Sequence, residues 1–299
     1  MKRYVSLFLC LLLLLSLFGC GKHGEKDTEP EPIPVQEVTA LVYNNGSTTL
    51  RFSHDESGWH WVDDTSFPLD ENYVIQLLEQ LTVISTQAPV ASPDDISEYG
   101  LDAPTRYLTV TCGEEDTIFY FAMPSDSETW YVHLSDSNDV LAVPGEFMSL
   151  MEQGICDMAL LPSLPVLDQN NVTSVSIAAG ESDPFLLHYA DGTWTANGKD
   201  VTDKAGSLME SLSALTLERC VDYHPTDGAM EICGLDASGW VLDVSYVNSV
   251  ENEDHFVLHI GSTVPASESR FVTIDEDSTI YQMAPSSLNG ILSLAESIQ

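Results

Sequence analysis

The chain writes one unit twice, and that repetition limits the folds it can adopt more than any other feature. A first segment runs from "VTALVYNNGSTTLRF" at Val38 to "PGEFMSLMEQ", ending at Gln153. A second runs from "VTSVSIAAGESDPFLLHY" at Val172 to "APSSLNGILSLAESIQ" at the C-terminus. Matching pieces follow in the same order. "GWHWVDD" from Gly58 answers "GTWTANG" from Gly192, and "NYVIQLLEQLTVI" answers "KAGSLMESLSALTL". "YGLDA" then answers "CGLDA", and "WYVHLSDSNDVLAVP" from Trp130 answers "RFVTIDEDSTIYQMAP" from Arg270. Self-similarity in fixed order marks tandem copies of one supersecondary unit. The helical pieces align at an offset of 131 residues and GLDA at 134, so the second copy carries three extra residues. They fall in "VDYHPTDGAMEI", where a longer loop costs little.

Within each copy the patterning predicts strands first, then a helix, then strands. Two alternating segments and a Trp-bearing one form a meander. In the first copy Val74, Leu77, Leu78, Leu81 and Ile84 recur at the spacing of an amphipathic helix with one core-facing stripe. Asp70, after Pro68, occupies the expected N-cap. In the second copy Leu208, Met209, Leu212 and Leu215 repeat the stripe, with Asp203 near the helix start. Four strand-like runs follow each GLDA; "TRYLTVTC" and "GWVLDVSY" alternate with the period of half-buried antiparallel strands. Short helices, Phe147 to Glu152 and Leu288 to Ser297, close the copies. The expectation is an α+β fold of two tandem similar lobes, each a mainly antiparallel sheet with one longer amphipathic helix and a short closing helix. The lobes span residues 38–155 and 172–299, joined by a Pro-bearing connector, residues 156–171.

The two GLDA stretches read as structural turns. Gly100 and Gly234 suit positive φ, Leu101 and Leu235 suit buried pegs, and Asp102 and Asp236 can hold the turn by accepting backbone N–H bonds. Trp59 and Trp194, equivalent between the copies, read as core anchors.

The N-terminus specifies location. Lys2 and Arg3 precede an apolar run from Tyr4 to Gly19, shorter than the roughly 20 residues of a spanning helix, so residues 1–19 read as a signal peptide. Leu17-Phe18-Gly19-Cys20 resembles a bacterial lipobox, which implies cleavage after Gly19 and lipidation of Cys20. Lipid chains would anchor the protein at roughly 0.8 kcal/mol per buried CH₂. The Pro- and charge-rich residues 20–37 are expected to be a disordered tether.

The chain has 10 Lys+Arg against 47 Asp+Glu, and loss of Lys2 and Arg3 would leave about −39 of formal charge. Such a surface repels nucleic acid. Of six Cys, Cys112, Cys156, Cys220 and Cys233 belong to the folded body. Cys220 and Cys233 lie nearest in sequence and are the candidate pair for a bridge. There is no Cys/His cluster of zinc spacing, no nucleophile or cofactor motif, and no catalytic residue to assign. His255 and His259 on one strand face would stand about 13 Å apart, too far to share a metal. The Asp-rich turns in "LSDSNDVLAV" and "TIDEDSTIYQM" lack the Gly and terminal Glu of a calcium loop.

A Trp-containing strand, then "FPLDENYVIQLLEQL", "YGLDAP" and "YVHLSDSNDVLAV", resembles the bacterial domain of unknown function 4340 family. The resemblance runs over Val38 to Gln299 as two copies, the second more divergent: Ser238 replaces the Pro after the turn and Cys233 stands where Tyr99 stands. It implies an extracytoplasmic, often lipid-anchored protein, some relatives being similar to components encoded beside ABC-type export systems. The functional expectation is a non-enzymatic binding or scaffold module on the outer face of the cell membrane. It would be held there by Cys20 and serve membrane transport proteins, with no cofactor. The alternatives are an extracytoplasmic hydrolase of glycan or cell-wall material, and a small-molecule or peptide receptor.

Overall fold

The computed structural model describes residues 33–135, 137–180, 182–236 and 239–298. The expected signal peptide, Cys20 and the first part of the tether lie outside the described residues, as do Ala237 and Ser238.

The alternating runs pair into two antiparallel sheets. The first contains β1 (Val38–Asn44), β2 (Thr49–Asp55), β3 (Gly58–Trp61), β4 (Arg106–Cys112), β5 (Glu115–Ala122), β6 (Trp130–Leu134) and β7 (Leu141–Val143), in the order β3-β2-β1-β4-β5-β6-β7. The second contains β8 (Val172–Ala179), β9 (Phe185–Ala190), β10 (Thr193–Ala196), β11 (Lys199–Asp200), β12 (Leu217–Asp222), β13 (Trp240–Val247), β14 (Glu253–Thr263), β15 (Arg270–Ile274) and β16 (Asp277–Met283). Its order is β11-β10-β9-β8-β13-β14-β15-β16-β12. Without its two edge strands, β11 and β12, it repeats the order of the first.

The likeness extends to irregularities. Val38 and Leu41 are both buried although three apart, because the β1–β4 ladder shifts register between Val38 and Ala40. The extra residue, Thr39, donates its hydroxyl to the Thr111 carbonyl at 3.3 Å. In the second sheet Val172 and Val175 are both buried across a register shift, and Thr173 donates to the Ser245 carbonyl at 3.1 Å. A bulge leaves one residue out of the ladder and bends the strand. Here the same residue type at the same place in both sheets closes it.

Helices cover one face of each sheet. The helix α1 (Glu71–Ser85) buries Val74, Leu77, Leu78, Leu81 and Ile84, the stripe read from the sequence. Each such side chain contributes about 1.5–3 kcal/mol of burial. Asp70 caps it by accepting the Asn72 N–H at 3.1 Å. With α2 (Gly145–Met151), which buries Phe147, Met148 and Met151, it closes a core over Leu41, Phe52, Leu108, Phe119, Phe121 and Val132. The second core lies under α3 (Leu208–Ser213) and α5 (Pro285–Ile298), against Val175, Leu187, Leu242, Leu258 and Val272.

The helix lengths differ from expectation in the second half. There α3 has 6 residues, and the closing helix, expected to be short, has 14. Asp203 precedes α3 by a turn made by Val201–Ala205, and Leu215 lies beyond its end. Gly206 and the surrounding serines are poor helix formers, whereas Leu288, Ile291, Leu294 and Ala295 supply a full buried stripe to α5. The two helices close through Gly290, whose N–H donates to Ser211 Oγ at 2.9 Å. A Cβ there would meet Ser207 O at 2.5 Å. Gly290 thus sets how closely α5 approaches.

Two further boundaries move. The end of the tether is part of the folded body, because Ile33 and Val35, its only large apolar residues, pack against the first core, and Val35–Glu37 forms a 3-10 turn. The connector is likewise packed. Met158 is buried in the first core and Leu167 in the second, and the Leu160 N–H donates to Pro68 O at 2.7 Å.

Candidate functional site

The GLDA turns end helical segments. After the 3-10 turn Ser97–Tyr99, Gly100 takes φ +72°, its N–H donates to Ser97 O at 3.0 Å, and the Leu101 N–H donates to Ile96 O at 3.3 Å. After α4 (Asp227–Ile232), Gly234 takes φ +65°, with Gly234 N–H to Glu231 O at 3.0 Å and Leu235 N–H to Met230 O at 2.9 Å. This pair of bonds is the Schellman motif, whose left-handed residue favours Gly. The following Leu then packs on the sheet face opposite the main core. Leu101 meets Val140 and Ala122, and Leu235 meets Ile280 and Cys233. The Asp role needs correction at the first turn: Asp102 is exposed and the turn closes through backbone bonds alone. At the second, the Asp236 carbonyl accepts the Gly239 N–H at 3.1 Å. In both places the motif ends a helical segment and sets a Leu against the sheet.

Apart from the seam between the two sheets, two constellations among the described residues combine Ser, His and Asp, and neither has the geometry of a relay. His60 Nε2 lies 2.9 Å from Ser57 Oγ and 3.3 Å from Asp55 Oδ1. His255 Nδ1 lies 3.5 Å from Ser245 Oγ and 3.2 Å from Asp243 Oδ1. A nucleophilic triad needs the acid on one ring nitrogen and the hydroxyl on the other; here both crowd the same nitrogen. Among the described residues no group of three or more His, Cys, Asp or Glu could hold a metal ion. Trp59 and Trp194 are buried, each with its backbone N–H bound by the segment that follows: Glu71 Oε2 at 3.1 Å and Thr202 Oγ1 at 3.0 Å. Trp130 is half-buried and carries the Arg106 guanidinium 4.7 Å above its ring.

An open cleft of about 550 Å³ lies where the connector meets the turn between β13 and β14. Its polar groups build its own walls. Asn171 Oδ1 accepts the Asp168 N–H at 2.8 Å, Asp168 Oδ1 accepts the Asn170 N–H at 2.7 Å, and Asn248 Oδ1 accepts the N–H groups of Val250 and Asn252 at 3.1 Å.

The densest chemistry lies on the seam between the two sheets. Phe67 packs edge-on against Tyr223, ring centroids 5.0 Å apart, and against Trp61 at 5.5 Å. The indole N–H of Trp61 is buried without a hydrogen-bond partner. His224, held at φ +60°, sets Nε2 3.2 Å from Asp64 Oδ2, and Ser66 Oγ lies 3.3 Å from the Tyr223 hydroxyl. The Asp64 carboxyl is held below its ordinary range by hydrogen bonds from Ser66 and by the His224 charge. On the other side of Tyr223 the 3-10 turn Ile155–Met158 lies along β12, with Asp157 Oδ1 3.8 Å from Arg219 Nη2. Cys156 packs against the second core, which holds Cys220, and the Cys220 thiol and the Tyr223 N–H both draw the Cys156 thiol below its ordinary range.

The thiols correct the expected pairing. All four body cysteines are free, and Cys220 and Cys233 do not form a bridge. Cys220 points into the second core and Cys233 packs with Leu235 on the opposite face of the same sheet.

The family model for a domain of unknown function (DUF4340) matches residues 59–238. The chain belongs to that family. The DUF4340 match is one copy, running from β3 through α1, the first GLDA turn, the connector and β12 to the second turn, and so takes in both sides of the seam. No curated protein and no solved structure matches the chain. In this DUF4340 member the contact that sequence reasoning missed, Cys156 against the core holding Cys220, lies where the connector meets a strand with no counterpart in the first sheet. Little in the sequence signalled it: Leu217–Asp222 buries Leu217 and Cys220 three apart and lacks strand alternation, and the repeat alignment stops its helical piece at Leu217.

Proposed function

We propose that this DUF4340 protein is a lipid-anchored extracytoplasmic binding or scaffold module built from two copies of one α+β unit. The observation that carries the anchoring is the N-terminal order of Lys2-Arg3, an apolar run, Leu17-Phe18-Gly19-Cys20 and a Pro/Glu-rich stretch leading into packed Ile33 and Val35. The two-lobe reading is supported by the shared strand order and by the matched bulges at Thr39 and Thr173. An acidic, well-solvated body favours a protein partner over nucleic acid, and the family resemblance points to membrane transport proteins. In cells fed a labelled fatty acid, the wild-type chain takes up label and sediments with membranes. A Cys20→Ala variant loses the label and appears in the soluble fraction; if it stayed wholly with membranes, anchoring through Cys20 would be wrong. Affinity capture of the wild-type protein from solubilised membranes then tests for transport subunits against cell-wall enzymes.

A further inference from the structure

Cys156 and Cys220 come from different parts of the architecture. Cys156 sits on the 3-10 turn that opens the connector, and Cys220 sits in β12 at the edge of the second sheet. The two segments are aligned by the Arg219–Asp157 ion pair at 3.8 Å, one residue from each thiol. Both thiols are free, the 3-10 turn lies along β12, and Cys156 packs against the core in which Cys220 is buried. Cys220 is buried and Cys156 is partly open to solvent, so the pair has one reachable sulfur and one protected sulfur.

We propose that Cys156 and Cys220 are a redox dithiol that closes to a disulfide riveting the connector to β12. Their environments divide the labour. The Cys156 thiol is held down to about 7, first by the Cys220 thiol and then by the Tyr223 N–H, against the effect of burial. The Cys220 thiol is pushed up by Cys156 and by burial, so it keeps its proton. A thiolate is the attacking species in exchange.

The oxidant is a small-molecule or protein disulfide. Cys156 Sγ⁻ attacks one of its sulfurs, forming a mixed disulfide and releasing one thiolate. Cys220 then gives up its proton to solvent and attacks Cys156 Sγ. The Cys156–Cys220 bond forms and the second thiolate leaves. The two electrons lost by the pair reduce the incoming disulfide to two thiols. An extracytoplasmic setting supplies such oxidants. The step itself does not depend on anchoring, so its failure would leave the Cys20 reading untouched.

The test uses the full chain equilibrated with oxidised glutathione, alkylated, cleaved at acidic residues and mapped by mass. The expected result is a crosslinked peptide pair containing Cys156 and Cys220, reopened by dithiothreitol, and a melting temperature about 5–10 °C higher than in the reduced protein. A Cys220→Ala variant should instead accumulate glutathione on Cys156. The proposal is overturned if both wild-type thiols remain alkylatable after full equilibration, if glutathione rests on wild-type Cys156 unresolved, or if Cys220 is found joined to Cys233 or Cys112. Should Cys220→Ala fail to fold by circular dichroism, the wild-type peptide map alone decides.

Discussion

Gly100 and Gly234 occupy the same place in the same motif, yet they tolerate change differently. A Cβ on Gly100 would meet nothing closer than 3.5 Å, whereas on Gly234 it would meet the Ser262 N at 3.0 Å. Gly100→Ala therefore pays only the left-handed strain, about 1–2 kcal/mol. Gly234→Ala adds a backbone clash and should cost at least about 1 kcal/mol more; urea unfolding of the two variants checks the order. Asp102→Asn should change stability by less than about 0.5 kcal/mol, because the exposed carboxylate holds no turn bond. Cys156 should show a second residue-scale signature. Its alkylation rate should rise with pH to a plateau with a midpoint near about 7, below the ordinary thiol range. Since a lowered value means thiolate at neutral pH, removing the second thiol in Cys220→Ala should move that midpoint up. An unchanged midpoint would assign the shift to some other group.

At the scale of elements, legibility followed periodicity. The buried stripe and the Asp70 cap of helix α1 could be read to the residue because the two signals agree. Asp70→Ala should cost about 1 kcal/mol, and Leu78→Ala, fully buried, about 2–5 kcal/mol, both measured by denaturant unfolding. The strands after each GLDA turn were legible for the same reason: alternation survives wherever one face of a sheet is buried. The second half lost legibility where two patterns overlap. In "SLMESLSALTLERCVD" a helical stripe runs straight into a strand whose apolar residues do not alternate, and tertiary contacts decide the break. Gly290 lets α5 press on Ser207 and Ser211, while β12 is drawn onto β16. The three inserted residues, expected to lengthen a loop, fall beside α4, which Thr226 caps by accepting the Ala229 N–H at 3.3 Å. The seam was not legible at all. Phe67, Tyr223, His224 and the thiols lie far apart in sequence, and no local period marks residues that meet only through packing.

For the whole molecule, two separate cores predict separable responses. With all tryptophans but Trp194 replaced by Phe, Leu78→Ala should leave the urea midpoint reported by Trp194 unmoved, while a Trp59-only protein should report a lower one. A common shift would mean that the seam couples the cores into one cooperative unit. Net charge makes a second prediction at this scale. With 10 basic against 47 acidic residues, self-repulsion opposes the compact state. Raising sodium chloride from about 0.01 M to about 1 M shortens the screening length from about 30 Å to about 3 Å. The melting temperature should therefore rise with salt, and a fall would mean that ion pairs such as Arg106–Glu152 outweigh the repulsion.

The sheet borders carry a consequence for crowding. Three of the four are brief, at 4 residues for β3, 3 for β7 and 2 for β11, and the 6-residue β12 lies against the connector's 3-10 turn. Unpaired strand edges are templates on which another chain can add a strand, and proteins blunt them by shortening or covering them. Molecules of this protein concentrated on a common surface would meet repeatedly, side by side. Their outermost strands offer too little free backbone for one copy to be stitched to the next.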